Sequence, residues 1–157
     1  EIKIGMASFR GVDRRFDFKI KTDKVVYLSD YAHHPEEIKQ SILSMRALYG
    51  DKKLTGIFQP HLYTRTRDFY QEFAESLSLL DEVILTDIYP ARELPIEGVS
   101  SQLIYDNLRP DIDKILCTKE EVIDILKKKE IEVLMTLGAG DIENYAPQIC
   151  EILNERC

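Results

Sequence analysis

Short apolar runs alternate with longer stretches whose apolar residues recur every three or four positions, and this alternation restricts the fold more than any other feature. The runs lie at 25–28, 54–58, 83–86, 114–117 and 132–136. Between the first two, Ile38, Ile42, Met45 and Leu48 fall on one side of a helical wheel over 35–49, the pattern of a helix with one buried face. Pro35 suits the first helical position, Glu36 and Glu37 place negative charge at the positive end of the dipole, and Gly50 closes the segment. Further helices are expected at 64–79, 100–108 and 119–128, with a closing helix to residue 153 that Pro147 shortens or bends. Ahead of them Phe16, Phe18 and Ile20 alternate with polar residues, and Thr22 and Asp23 turn the chain back into 25–28, making an opening β-hairpin. Strands alternating with helices of this length imply an α/β fold: a mostly parallel sheet, helices on both faces and an N-terminal hairpin.

Composition bounds the rest. With 157 residues, 44% of them hydrophobic and 31% charged, the chain suits one globular domain with a full core. A net charge of -7 and a pI near 5.0 argue against a surface that holds a phosphate backbone, which takes clustered Lys and Arg. Cys117, Cys150 and Cys157 lack metal-like or paired spacing, so free thiols and a reducing, cytoplasmic setting are expected. No apolar run reaches the roughly 20 residues of a membrane helix. The first residue is Glu1, and 1–12 reads as the tail of a preceding element, so an excised domain is expected.

Chemistry collects in the strand-to-helix turns, which in such a sheet open on the carboxyl edge of the strands, where ligands bind. The turn after 25–28 carries Asp30, Tyr31, His33 and His34, and the turn after 54–58 carries His61, Tyr63, Arg65 and Arg67. These two turns hold every histidine of the chain, and all three are expected in one site. Each residue also has a plainer reading. His34 can cap the following helix, and His33 can simply pack. Arg65 and Arg67 oppose the helix dipole unless an anion binds there or Asp68 neutralises them. Asp30 can accept from ribose hydroxyls or only start a turn. Arg14 and Arg15 can meet phosphate or stay solvated. Gly138-Ala-Gly140 allows close approach of a ligand or merely closes a βα turn. The loop 87–98 is longer than packing alone requires.

Five stretches together carry a resemblance: FRGVDRRFD at 9–17, DYAHHPEEI at 30–38, FQPHLYTRTRD at 58–68, DIYPARELPIEGVSS at 87–101 and GAGDI at 138–142. Over nearly its whole length the chain resembles the C-terminal, Rossmann-like domain of the Mur ligase family, in the branch that joins L-alanine to UDP-N-acetylmuramate during peptidoglycan synthesis. The resemblance implies a three-domain enzyme. ATP phosphorylates the muramic carboxylate, the alanine amine attacks the acyl phosphate, and phosphate leaves. By motif position, Asp30 is expected at the ATP ribose and Arg15 at the phosphates. Tyr31, His33, His61 and Arg65 are expected around L-alanine, with Arg65 on its carboxylate. Residues 13–157 are then the C-terminal domain, and a hinge is expected within 8–13. Leu62 stands where many relatives have Arg, so Arg65, Arg67 or another cation has to hold the carboxylate. A Gly-x-x-x-x-Gly-Lys-Ser/Thr phosphate loop is absent from the sequence. Magnesium is therefore expected mainly on the central domain, and no catalytic residue or metal site within this one. A sibling ligase that attaches a preformed tripeptide shares the His-His-Pro turn but lacks the Gln-Pro-His turn; a stand-alone nucleotide- or carboxylate-binding module is the reading from another class.

Overall fold

Six strands make one sheet in the computed structural model, which describes residues 15–157. In chain order they are β1 (Asp17–Lys21), β2 (Val26–Asp30), β3 (Leu54–Phe58), β4 (Glu82–Leu85), β5 (Asp113–Leu116) and β6 (Val133–Leu137). Their spatial order is β1-β2-β6-β3-β4-β5. β1 runs antiparallel to β2 and every other pairing is parallel, as strands joined by helical crossovers must be. The expected α/β sheet with its opening hairpin is therefore present.

Among the described residues five α-helices cover the sheet: α1 (Pro35–Leu48), α2 (Tyr63–Leu77), α3 (Gln102–Asn107), α4 (Val122–Lys127) and α5 (Ala146–Asn154). Strand side chains alternate between faces, so the central strands feed two cores. Val26, Leu28, Leu54, Phe58, Val133 and Met135 pack with Ile38, Ile42 and Met45 of α1, Phe73 and Leu77 of α2, and Ile104 of α3. On the opposite face Tyr27, Ile57, Ile84 and Leu134 meet Val122 and Leu126 of α4 and Ile149 and Leu153 of α5. β3 and β6 are buried at every position, which suits parallel strands covered on both sides.

Two helix starts differ from the periodicity. The segment expected as a helix from 119 opens with a 3-10 turn, Lys119–Glu121, and the closing helix is preceded by another, Asp141–Tyr145. Pro147 lies in the first turn of α5, where an absent N–H costs no hydrogen bond, so it begins that helix rather than bending it. The cysteines are unpaired thiols, and burial pushes Cys117 up to about 11, well away from a reactive thiolate. The expected 1–12 tail, the hinge within 8–13, and Arg14 lie outside the described residues.

The position of β6 decides where chemistry can occur. It pairs with β2 and β3 at once, Asp30 opposite Leu137 on one side and Phe58 opposite Leu137 on the other. The turns following β2, β3 and β6 therefore leave the sheet side by side, although their residues lie up to about a hundred positions apart in the sequence.

Candidate functional site

Backbone hydrogen bonds continue past the strand ends and lock these turns together. Gly138 N–H donates to Asp30 O at 3.3 Å, and Gln59 N–H donates to Leu137 O at 3.1 Å. Gly138 has φ +141, and a Cβ there would lie 2.7 Å from Gln59 O, so only glycine fits. Gln59 is buried; its Nε2 donates to Asp141 Oδ1 at 2.6 Å and its Oε1 accepts the Ile142 N–H at 3.0 Å. Asp141 also pairs with Lys119. Burial raises the Asp141 carboxyl, but Gln59 and Lys119 outweigh it and hold the pKa below the usual value. A Cβ on Gly140 would meet Tyr89 Cγ at 2.7 Å. The glycine turn thus serves close approach of this chain's own Gln59 and Tyr89.

Against that frame stands a cluster of rings. Tyr31 meets His33 edge-on, centroids 5.2 Å apart, and His33 meets His61 at 6.1 Å. His61 stacks on Tyr89 at 5.6 Å and 16°. Arg65, one helical turn beyond His61, donates from Nη1 to His61 Nδ1 at 3.1 Å. Burial first, then the Arg65 and His33 charges, lower the His61 pKa. Tyr31, His33, His61 and Arg65, expected around one ligand, thus form a continuous cluster at the sheet edge. Arg67 turns away and pairs with Asp68 at 2.8 Å, both exposed, so Arg65 is the arginine of this turn that remains with the cluster. Leu62 takes φ +75 between His61 and α2, a conformation unfavourable for a branched residue. Its N–H donates to Tyr89 O at 2.9 Å and its carbonyl accepts from Thr66 Oγ1 at 2.9 Å.

The long loop supplies what the sequence did not point to. Tyr89 N–H donates to Pro60 O at 2.8 Å, closing a short parallel bridge between His61 and Tyr89. Four residues on, Glu93 accepts the Thr64 N–H at 3.0 Å and the Thr64 hydroxyl. Those bonds hold the Glu93 carboxyl below its usual pKa. The chain thus supplies a carboxylate of its own, Glu93, at the start of α2. Loop length was the signal that could have found Tyr89 and Glu93.

Asp30 faces a neighbouring depression. Its Oδ1 accepts the Ala32 N–H at 3.2 Å and its Oδ2 accepts the Ser41 hydroxyl at 2.6 Å, leaving each oxygen a further lone pair. Arg15, Asp30 and Tyr31 line this cavity of about 280 Å³ beside Gln40, Ser41 and Ser44 of α1. The two residues expected at a nucleotide thus share one hollow, and Tyr31 belongs to both it and the ring cluster.

His34 departs from expectation. Its ring lies on Phe69 of α2, centroids 5.1 Å apart, and it caps α1, with Glu37 accepting the His34 N–H at 3.2 Å. Two of the three histidines, His33 and His61, join the ring cluster; His34 is still extended, at φ -110 and ψ 147, so its side chain leaves on the side opposite His33. Among the described residues no three His, Cys, Asp or Glu side chains stand close enough to hold a metal ion. No helix among them is long and apolar enough to cross a membrane.

Comparison with known proteins adds the family. The chain is 79% identical over 156 residues to a UDP-N-acetylmuramate--L-alanine ligase of Phocaeicola vulgatus, covering 99% of this chain and 34% of that protein. It spans about a third of the length of the curated relatives it matches. The crystal structure of a UDP-N-acetylmuramate-alanine ligase from Thermotoga maritima superposes with a TM-score of 0.75 at 27% identity, over 95% of this chain and 32% of that one. A murein peptide ligase from Psychrobacter arcticus gives 0.73 at 17%, over 96% and 32%, a likeness of fold. The family model described as Mur ligase, glutamate ligase domain, matches residues 14–142, and the chain belongs to that family.

Proposed function

We propose that this chain is the C-terminal domain of an ATP-dependent ligase that joins L-alanine to UDP-N-acetylmuramate. The observation that carries this reading is the 79% identity, over 99% of the chain, to a UDP-N-acetylmuramate--L-alanine ligase. Residues 13–157 form the domain, and 1–12 belong to the connection with a central domain that holds the phosphate loop and most of the magnesium coordination.

In this reading the chain binds and orients. Asp30 accepts from the ATP ribose with the lone pairs that Ala32 and Ser41 leave, and Arg15, on the same hollow, meets phosphate oxygens. Tyr31, His33, His61 and Arg65 surround the amino acid. Arg65 takes its carboxylate, since Arg67 is engaged with Asp68. Holding the amine near an acyl phosphate contributes through proximity, while activation of the carboxylate belongs to the central domain. ATP and nucleotide-linked sugars are cytoplasmic metabolites, so the enzyme works in the bacterial cytoplasm.

The test is phosphate release by the full-length ligase with UDP-N-acetylmuramate and ATP. L-alanine is expected to stimulate release strongly and the tripeptide not at all. Stimulation by the tripeptide alone would assign the domain to the recycling ligase instead.

A further inference from the structure

The hydrogen-bond partners of His33 and His61 determine which nitrogen of each ring carries the proton. A carbonyl oxygen only accepts and a guanidinium only donates. His33 Nδ1 lies 3.1 Å from Tyr31 O, so Nδ1 carries the hydrogen and the lone pair of the neutral ring is on Nε2. The Glu37 carboxylate, 3.7 Å from the same Nδ1, favours that tautomer. His61 Nδ1 lies 3.1 Å from Arg65 Nη1, so it accepts and the hydrogen sits on Nε2. Burial and the Arg65 charge lower the His61 pKa, which disfavours protonation of its Nδ1. Two rings whose centroids are 6.1 Å apart thus present opposite chemistry, a basic nitrogen on one and an N–H on the other.

We infer that His33 Nε2 is the proton acceptor for the α-amino group of the incoming amino acid, and that His61 Nε2–H, beside Arg65, donates to its carboxylate. The inference rests on the proposed function, which makes an amino acid the nucleophile. Opposite tautomers match the opposite ends of a zwitterion. The ammonium cannot attack until it loses a proton. His33 Nε2 takes that proton, and the freed nitrogen pair forms the C–N bond at the acyl phosphate carbon. The C–O bond to phosphate then breaks with its electron pair. The second N–H proton leaves with the phosphate, and His33 returns the first to solvent. His61 cannot take the acceptor role, because its remaining nitrogen carries hydrogen. The charged and titratable groups facing His33 are Tyr31 from its own turn, Glu37 from α1, and His61 with Arg65 from the next turn and helix.

The chain has only three histidines, so two-bond proton–nitrogen correlation on histidine-labelled protein at mildly alkaline pH reads each tautomer directly. His33 is expected as the Nδ1–H form and His61 as the Nε2–H form; the reverse at either ring overturns the inference. In the full-length ligase, His33→Gln keeps a hydrogen-bonding group at the ε position but no base. It is expected to lower kcat by about 10²–10³-fold and to change the alanine KM little. His61→Gln keeps an ε N–H, and its kcat is expected to fall less than that of His33→Gln. Retention of kcat in His33→Gln would contradict the assignment. If the wild-type ligase releases no phosphate with alanine, the proposed function fails by itself, and the tautomer measurement, which needs no substrate, still decides the histidine assignment.

Discussion

Gln59 uses both ends of a buried amide, donating to Asp141 and accepting from Ile142, and its neighbours tolerate little change. Gln59→Leu leaves the Ile142 N–H without its partner, and is expected to cost about 1–3 kcal/mol in urea unfolding, with m unchanged. Gly140→Ala pushes a methyl into Tyr89, whose Cγ and Cβ would lie at 2.7 and 2.8 Å. Forced overpacking costs about 1–3 kcal/mol, and the displaced ring should also weaken alanine binding, read as a raised KM in the full-length ligase. At this scale the sequence was informative where chemistry is rare. Histidine, arginine and aspartate in two turns pointed to residues that the fold brings to one sheet edge, whereas Gln59 stood out only within the Gln-Pro-His turn. Its partners lie more than eighty positions away, and nothing local announces them. His34 erred the other way: it sits beside a site residue in sequence but packs on Phe69.

The elements were legible because each strand and helix carries its own period, in side chains that need only one neighbouring layer to explain them. Strand order was not, since placing β6 between β2 and β3 depends on pairing between distant segments. Nor was the capping of α2, where Leu62 adopts a positive φ and a loop carboxylate accepts from the first turn. Glu93→Ala is expected to speed amide hydrogen exchange in the first turn of α2 while leaving α1 unchanged; equal protection in both would show that the cap contributes nothing. At the opposite edge Glu82 joins three segments, accepting from Thr55 at 3.2 Å and pairing with Lys53 at 3.2 Å and with Lys129. Its carboxyl is buried, and Glu82→Ala strands those donors, at an expected cost of about 1–3 kcal/mol in chemical denaturation.

Across the whole molecule the carboxylates set an acid limit. For Asp81, Glu82 and Asp141 burial raises the pKa, but hydrogen bonds and cations outweigh it and leave each below its ordinary value. A depressed carboxyl stabilises the fold above its unfolded pKa and loses that contribution as pH falls through the folded one. The urea midpoint should therefore decline below about pH 4. His61 acts in the same direction nearer neutrality: its pKa is lowered in the fold, so the unfolded chain binds the proton more readily and stability falls as pH drops below about 6.5. In the proposed function one sheet edge carries two adjoining subsites, a nucleotide hollow at Arg15 and Asp30 and an amino-acid cluster at His33, His61 and Arg65. Steady-state kinetics of Asp30→Asn and Arg65→Ala in the full-length ligase test it most directly. Asp30→Asn should raise the KM for ATP, and Arg65→Ala the KM for alanine, each by at least about tenfold more than the other substrate's. Equal changes in both constants for either variant would contradict the division.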